Sequence, residues 1–180
     1  MNNTQNKIVL TGFRATGKST LGQLVAKRLG YLFLDTDQEL TRQLGATIAQ
    51  TVACHGWPFV RCAEAQLLRE VSTASHIVIA TGGGAIEHHH EWQLLRRNSL
   101  VVWLDADAAT INQRITTDAA STSQRPALLQ DHTPQDEIIQ LLGQRMPLYA
   151  AGSDMRFDTA SACLEDLAAL VCRAYTGNRG

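Results

Sequence analysis

The sequence predicts an α/β fold of three layers, a parallel sheet with helices on both faces. Three observations predict it. Apolar runs of strand length recur at Ile8–Leu10, Tyr31–Leu34, Ile77–Ala80 and Leu100–Leu104, as expected of strands buried on both sides. Segments with helical periodicity lie between them, and strand–helix alternation is the mark of parallel βαβ units. The residues that could carry chemistry cluster just after the strands, where open parallel sheets bind ligands.

The first strand runs into Gly12-Phe13-Arg14-Ala15-Thr16-Gly17-Lys18-Ser19, which fits G-x-x-x-x-G-K-[ST], the phosphate-binding P-loop. Ser19–Leu29 reads as a helix, with apolar positions at Leu21, Leu24, Val25 and Leu29. Strand, glycine loop and helix together give the pattern a mechanism. Backbone N–H groups of the loop and helix start wrap an anion. Lys18 reaches the outer phosphates and the Ser19 hydroxyl ligates Mg²⁺. The chain is therefore expected to bind a nucleoside triphosphate.

The second strand ends in Asp35-Thr36-Asp37. Two carboxylates two positions apart on a strand point the same way. Beside the P-loop, one can hold Mg²⁺ through water and the other can accept a hydroxyl proton. The alternative is a polar strand end with Asp37 capping the next helix. A helical pattern starts at Gln38, breaks at Gly56-Trp57-Pro58 and resumes over Val60–Ser72. Arg61 near that start is unfavourable for the helix dipole. It either meets a ligand, oriented by Glu64 one turn on, or forms an exposed i,i+3 ion pair.

The third strand leads into Thr81-Gly82-Gly83-Gly84, where close backbone approach and N–H donors suit a ligand contact. His88-His89-His90 cannot all face one ion on a helix, so they read as an exposed polar start to the helix Trp92–Arg97. The fourth strand ends at Asp105, expected to cap the helix Ala108–Ile115. Trp57, Trp92 and Trp103 read as core or interface residues. Small polar residues from Thr116 to Gln124, followed by Arg125-Pro126, suggest a mobile lid over about 112–128 that brings Arg125 to the phosphates. A helix at Pro134–Ala150 carries Arg145. A short fifth strand follows at Met155–Asp158, then a last helix at Cys163–Tyr175, and 176–180 read as a disordered end.

Composition limits the classes of function. The chain has 180 residues, 44% of them hydrophobic, which suits a single domain over 1–180 with a real core. A net charge of −1 gives no basic surface for nucleic acid or an anionic membrane. No apolar run approaches the roughly 20 residues of a membrane span, and the polar start lacks a secretory core. A cytoplasmic location is expected. Cys54, Cys62, Cys163 and Cys172 match no metal or disulfide spacing, so they read as reduced, mostly buried small hydrophobes.

Taken together, these motifs resemble the shikimate kinase family. The resemblance is carried by the P-loop with Lys18-Ser19-Thr20, by Asp35-Thr36-Asp37, by Arg61 with Glu64 and by Gly82-Gly83-Gly84. Arg125-Pro126 and Arg145-x-Pro-x-Tyr149 complete it, from about Ile8 to Leu170. It implies a five-stranded parallel sheet of the nucleoside-monophosphate-kinase type. It also implies ATP-dependent phosphorylation of the 3-hydroxyl of shikimate, in aromatic amino-acid biosynthesis, by a monomer using Mg²⁺. Arg14, Ala15, Thr16, Gly17, Lys18, Ser19 and Thr20 would surround the ATP phosphates, with Arg114 by the adenine and Arg125 reaching the transferring group. Ser19 and Asp35 would hold the metal. Asp37 would be the base and bind substrate hydroxyls, within a substrate-binding helical segment over about 38–70. Arg61 and Arg145 would clamp the substrate carboxylate, and the backbone of Gly82, Gly83 and Gly84 would hold ring hydroxyls.

The chain departs from the family pattern in places. Ala15 replaces a usual glycine, tolerable if its φ is negative or the backbone shifts. Arg14 is a charge that either touches substrate or points to solvent. Val60 precedes Arg61 where phenylalanine is usual, Trp57 replaces an acid, and Ala127 interrupts the usual Arg-Pro-Leu run. Two other readings are a kinase for a gluconate-like polyol acid and a non-catalytic sensing module. The paired arginines weigh against the first, and the retained Lys18, Ser19, Asp35, Asp37 and Arg125 against the second.

Overall fold

In the computed structural model the described residues are 5–117 and 133–177. Five strands form the sheet: β1 (Lys7–Thr11), β2 (Leu32–Asp35), β3 (Ile77–Ala80), β4 (Ser99–Asp105) and β5 (Met155–Asp158). Their order is β2-β3-β1-β4-β5, and every pairing is parallel. The chain builds one side of the sheet through β2 and β3, then crosses to the other side. β1 is thus central, and the loop after it is flanked by the ends of β3 and β4. The helices are α1 (Lys18–Leu29), α2 (Thr36–Leu44), α3 (Ile48–Ser72), α4 (His89–Arg96), α5 (Ala108–Thr117), α6 (Pro134–Gly152) and α7 (Leu164–Gly177).

Continuous apolar strands make sense because both faces of the sheet are covered. Ile8, Leu10, Val78, Leu100, Val102 and Leu104 point to one face, against Leu21 and Val25 of α1 and Leu167 and Val171 of α7. Val9, Ile77, Ile79, Val101 and Trp103 point to the other, against Leu67 of α3, Leu95 of α4 and Tyr149 of α6. Each such aliphatic side chain contributes roughly 1.5–3 kcal/mol on burial. A third cluster joins Phe13 of the glycine loop to Ile111 and Ile115 of α5 and Ile138 and Leu142 of α6. That cluster fixes the two late helices beside the loop.

Local chemistry sets the boundaries. α1 ends at Gly30, left-handed at φ 68°, which L residues with a Cβ rarely adopt. α3 is two helical segments joined at Gly56, with φ 78°. Pro58 falls in the first turn of the second segment, where its missing N–H costs little.

Of the expected lid, residues 112–117 form the end of α5, and the remainder, with Arg125 and Ala127, lies outside the described residues. Three other expectations are corrected. Thr176 and Gly177 belong to α7 rather than to a disordered end. Cys54, Cys62 and Cys163 are exposed and Cys172 is half-buried, so the cysteines are free but not core residues. Asp105 does not cap α5. Its carboxylate binds Arg156 (2.6 Å), and Asp107 accepts from the Thr110 N–H (2.7 Å) instead.

Candidate active site

The glycine loop leaves β1 at Gly12, whose φ is 138°. A Cβ there would lie 2.1 Å from the Leu104 carbonyl oxygen, so glycine is required for the loop to pass the end of β4. Ala15 has φ 62°, in the left-handed region. Of the two ways to tolerate Ala15, a negative φ is not the one taken: the loop imposes the glycine conformation and the alanine accepts the strain. Thr16 Oγ1 and Lys18 Nζ both donate to the Phe13 carbonyl, at 2.8 and 2.6 Å. These bonds fold the loop tightly ahead of α1, with Gly17 at its N-terminus. Thr20 is exposed on the first turn of α1.

Ser19 Oγ donates to Oδ2 of Asp35, so the two residues expected to hold a metal do meet. Asp35 ends β2 and caps α2, with Oδ1 accepting from the N–H groups of Asp37 (3.0 Å) and Gln38 (3.3 Å). This corrects the reading of Asp37. It is not on a strand beside Asp35 but half-buried in the first turn of α2, one residue after the turn point. The cap of α2 is Asp35.

Thr36 Oγ1, also at this turn, accepts the Gly82 N–H at 2.8 Å and ties α2 to the glycine turn after β3. On the other side of that turn, the Tyr149 hydroxyl donates to the Gly83 carbonyl. A Cβ on Gly84 would lie 2.2 Å from Arg61 Nη1, so the third glycine lets a guanidinium rest on bare backbone. Arg61 donates to Glu64 at 2.9 Å. The pair is partly buried, not an exposed surface pair. Arg61 also lies 5.8 Å from the ring of Trp57, which places one departure from the family pattern at the site itself.

Arg145, only 4% exposed, reaches the same place from α6. Its Nε and Nη2 donate to Glu87 at 3.0 and 3.2 Å, and Arg61 Nη2 donates to Glu87 at 2.9 Å. Two guanidiniums from distant segments thus converge on one carboxylate. Sequence reasoning misses Glu87, an acid three residues after a glycine run with nothing beside it to mark a role. His88 is not exposed either, since its ring lies 3.5 Å from Glu64.

Arg14 and Arg114 frame the other end of the loop. Arg14 Nη2 pairs with the buried carboxylate of Glu137 at 3.3 Å, so its side chain is directed at α6 rather than at solvent. Arg114 donates to the Ala15 carbonyl (3.2 Å) and to the Thr159 carbonyl (2.6 Å). Beside it lies an open depression lined by Thr110, Gln113, Arg114, Thr117 and Ala160.

An anion-wrapping loop at the start of α1, faced by carboxylates on a parallel sheet of this order, defines a phosphotransferase of the P-loop class. Comparison with known proteins narrows the class. The family model for shikimate kinase matches residues 14–175. A shikimate kinase of Moorella thermoacetica is 41% identical over 152 residues, 84% of either chain. One of Nitratidesulfovibrio vulgaris is 36% identical over 168 residues, 92% of this chain and 95% of that one. A solved shikimate kinase from Acinetobacter baumannii, in complex with shikimate, superposes with a TM-score of 0.88 at 32% identity, covering 98% of this chain and 96% of that one. The chain belongs to the shikimate kinase family.

Proposed function

We propose that the protein transfers the γ-phosphoryl group of ATP to the 3-hydroxyl of shikimate, giving shikimate 3-phosphate and ADP. The observation that carries this reading is the convergence of Arg61 and Arg145 on a single carboxylate beside the glycine turn. A planar carboxylate is matched bidentately by a guanidinium fork, which the point charge of a lysine cannot do.

The roles follow from position. Loop N–H groups from Arg14 to Thr20 and the Lys18 ammonium bind the phosphates. The depression beside Arg114 takes the adenine. Ser19 and Asp35 present hard oxygen donors that suit Mg²⁺, and they meet without a third acid: among the described residues no cluster of three His, Cys, Asp or Glu could hold a metal. When bound, the ion neutralises charge on the phosphates. Gly82 has its N–H committed to Thr36, so the N–H groups of Gly83 and Gly84 are assigned to the substrate. Arg61 and Arg145 fix the substrate carboxylate, which orients its hydroxyl toward the loop.

Asp37 accepts the hydroxyl proton as the oxygen–phosphorus bond forms and the bond to ADP breaks. A loose transition state releases that proton late, so an ordinary carboxylate is basic enough. Arg125, outside the described residues, is assigned to the transferring phosphoryl group.

The test is ADP formation from Mg-ATP with shikimate, gluconate, quinate or no acceptor. Turnover with shikimate alone supports the assignment. Turnover with gluconate, or ATP binding with no stimulated turnover, overturns it.

A further inference from the structure

Glu87 has no part in the roles assigned above, yet it occupies both arms of the arginine clamp. Oε1 accepts from Arg145 Nε, and Oε2 accepts from Arg145 Nη2 and Arg61 Nη2. This is fork geometry on two guanidiniums, the same geometry a substrate carboxylate needs there. The local charges are two cations, Arg61 and Arg145, against two carboxylates, Glu64 and Glu87, with the His88 ring next to Glu64. The clamp is therefore compensated before any ligand arrives.

Burial explains why a resident partner is needed. Arg145 is sequestered by the fold, and a buried guanidinium with no counter-charge is strongly destabilising. The Glu87 side chain itself is 33% exposed. It ends the single 3₁₀ turn Ala85–Glu87, so its carboxylate can swing to water without moving a long element.

We propose that Glu87 is a built-in stand-in for the substrate carboxylate, a specificity-determining residue that holds the clamp and yields it on binding. The proposal rests on the assignment of Arg61 and Arg145 as the carboxylate clamp. Any anion entering the clamp competes with Glu87, so apparent affinity is reduced by the fraction of molecules in which Glu87 has let go. Shikimate offsets this with its ring hydroxyls on the glycine turn. A bare carboxylate or phosphate has no such contacts and is rejected. Selectivity then comes from an occupant that disfavours the wrong ligand as well as from contacts to the right one.

The test compares wild type with Glu87→Gln and Glu87→Asp. Three quantities are read: the shikimate KM and kcat, the inhibition constants of benzoate and inorganic phosphate, and the rise in melting temperature given by each anion. Glu87→Gln is expected to lower the shikimate KM at least five-fold, with kcat moving less than KM. It should tighten benzoate and phosphate by a comparable factor, and enlarge the thermal shift that each anion produces. Glu87→Asp, one methylene shorter but still charged, should lie between. A KM that rises or stays in place in folded Glu87→Gln would make Glu87 a structural prop for Arg145 and overturn the proposal. Should Glu87→Gln fail to fold, the same signs are required of Glu87→Asp at two-fold or more. A wild type that shikimate neither stabilises nor turns over defeats the assigned function instead. The phosphate and benzoate shifts in the variants then decide the role of Glu87 alone.

Discussion

The hydroxyl of Tyr149 donates to the carbonyl of Gly83 at 2.6 Å, joining α6 to the glycine turn after β3. Arg145 lies one helical turn earlier on the same helix, so i and i+4 share a face. One helix therefore both carries Arg145, assigned above to the proposed carboxylate clamp, and holds the glycine turn beside it. Tyr149→Phe keeps the ring in the core and leaves a buried carbonyl without this donor. We expect a loss of about 1–2 kcal/mol in urea unfolding and a rise in the shikimate KM larger than any rise in the ATP KM. Equal rises in both would mean that the bond supports the core only.

The two acids at the end of β2 separate by substitution. Asparagine is as good an N-cap as aspartate, whereas alanine costs about 1 kcal/mol. Asp35→Asn should hold stability while raising the Mg²⁺ concentration needed for half-maximal turnover, and Asp35→Ala should lose both. Asp37→Asn should cut kcat by a factor of about 10² or more, with ATP affinity by calorimetry within two-fold of wild type. Undiminished kcat in Asp37→Asn removes it from the proton-transfer step.

Ala15 carries a methyl at φ 62°. A left-handed L residue costs roughly 1–2 kcal/mol, while glycine loses about 0.5–1 kcal/mol through its freer unfolded chain. The first effect is the larger, so Ala15→Gly should raise stability by on the order of 0.5 kcal/mol. ATP affinity should stay the same or improve, because the loop already has the glycine conformation. A destabilised Ala15→Gly would show that the methyl has a packing role that outweighs its backbone strain.

The sheet and the phosphate loop were legible because their signals are periodic or obligatory. Ile8–Leu10 and Leu100–Leu104 had to be strands buried on both faces, and only glycine can pass Leu104 at Gly12. Features decided by one side chain at a boundary were not legible. β2 could have continued to Asp37, which would have placed two acids on one face. The Asp35 carboxylate instead captures two backbone N–H groups and starts α2 one residue later. β4 shows the same limit, since Asp105 is the acid the strand end offers as a cap, yet Arg156 takes its carboxylate and Asp107 accepts the Thr110 N–H instead. Glu87 is a long-range meeting of three segments, and nothing in its neighbouring sequence marks a carboxylate that serves Arg61 and Arg145 together.

Lys7 opens β1 with its ammonium buried and donating to the Ser72 carbonyl at 2.5 Å, and burial pulls its pKa below the ordinary 10.5. Below the lowered value both the folded and the unfolded chain hold the proton. Between that value and 10.5 the unfolded chain still holds it after the folded chain has released it, so stability rises with pH across this window. Cys172 acts with the opposite sign. Burial raises its thiol above the ordinary 9.0, the folded chain keeps the proton longer, and stability falls as pH climbs past that value. The two effects overlap in the wild-type curve and separate by subtraction. The unfolding free energy of wild type minus that of Lys7→Met should be flat near neutral pH and climb through the alkaline window. The same difference taken against Cys172→Ala should decline there. Urea titrations at half-unit intervals from about pH 7 to about 10.5 would read both. A Lys7→Met difference that stays flat throughout would show that the ammonium is as well solvated by the end of α3 as it is by water.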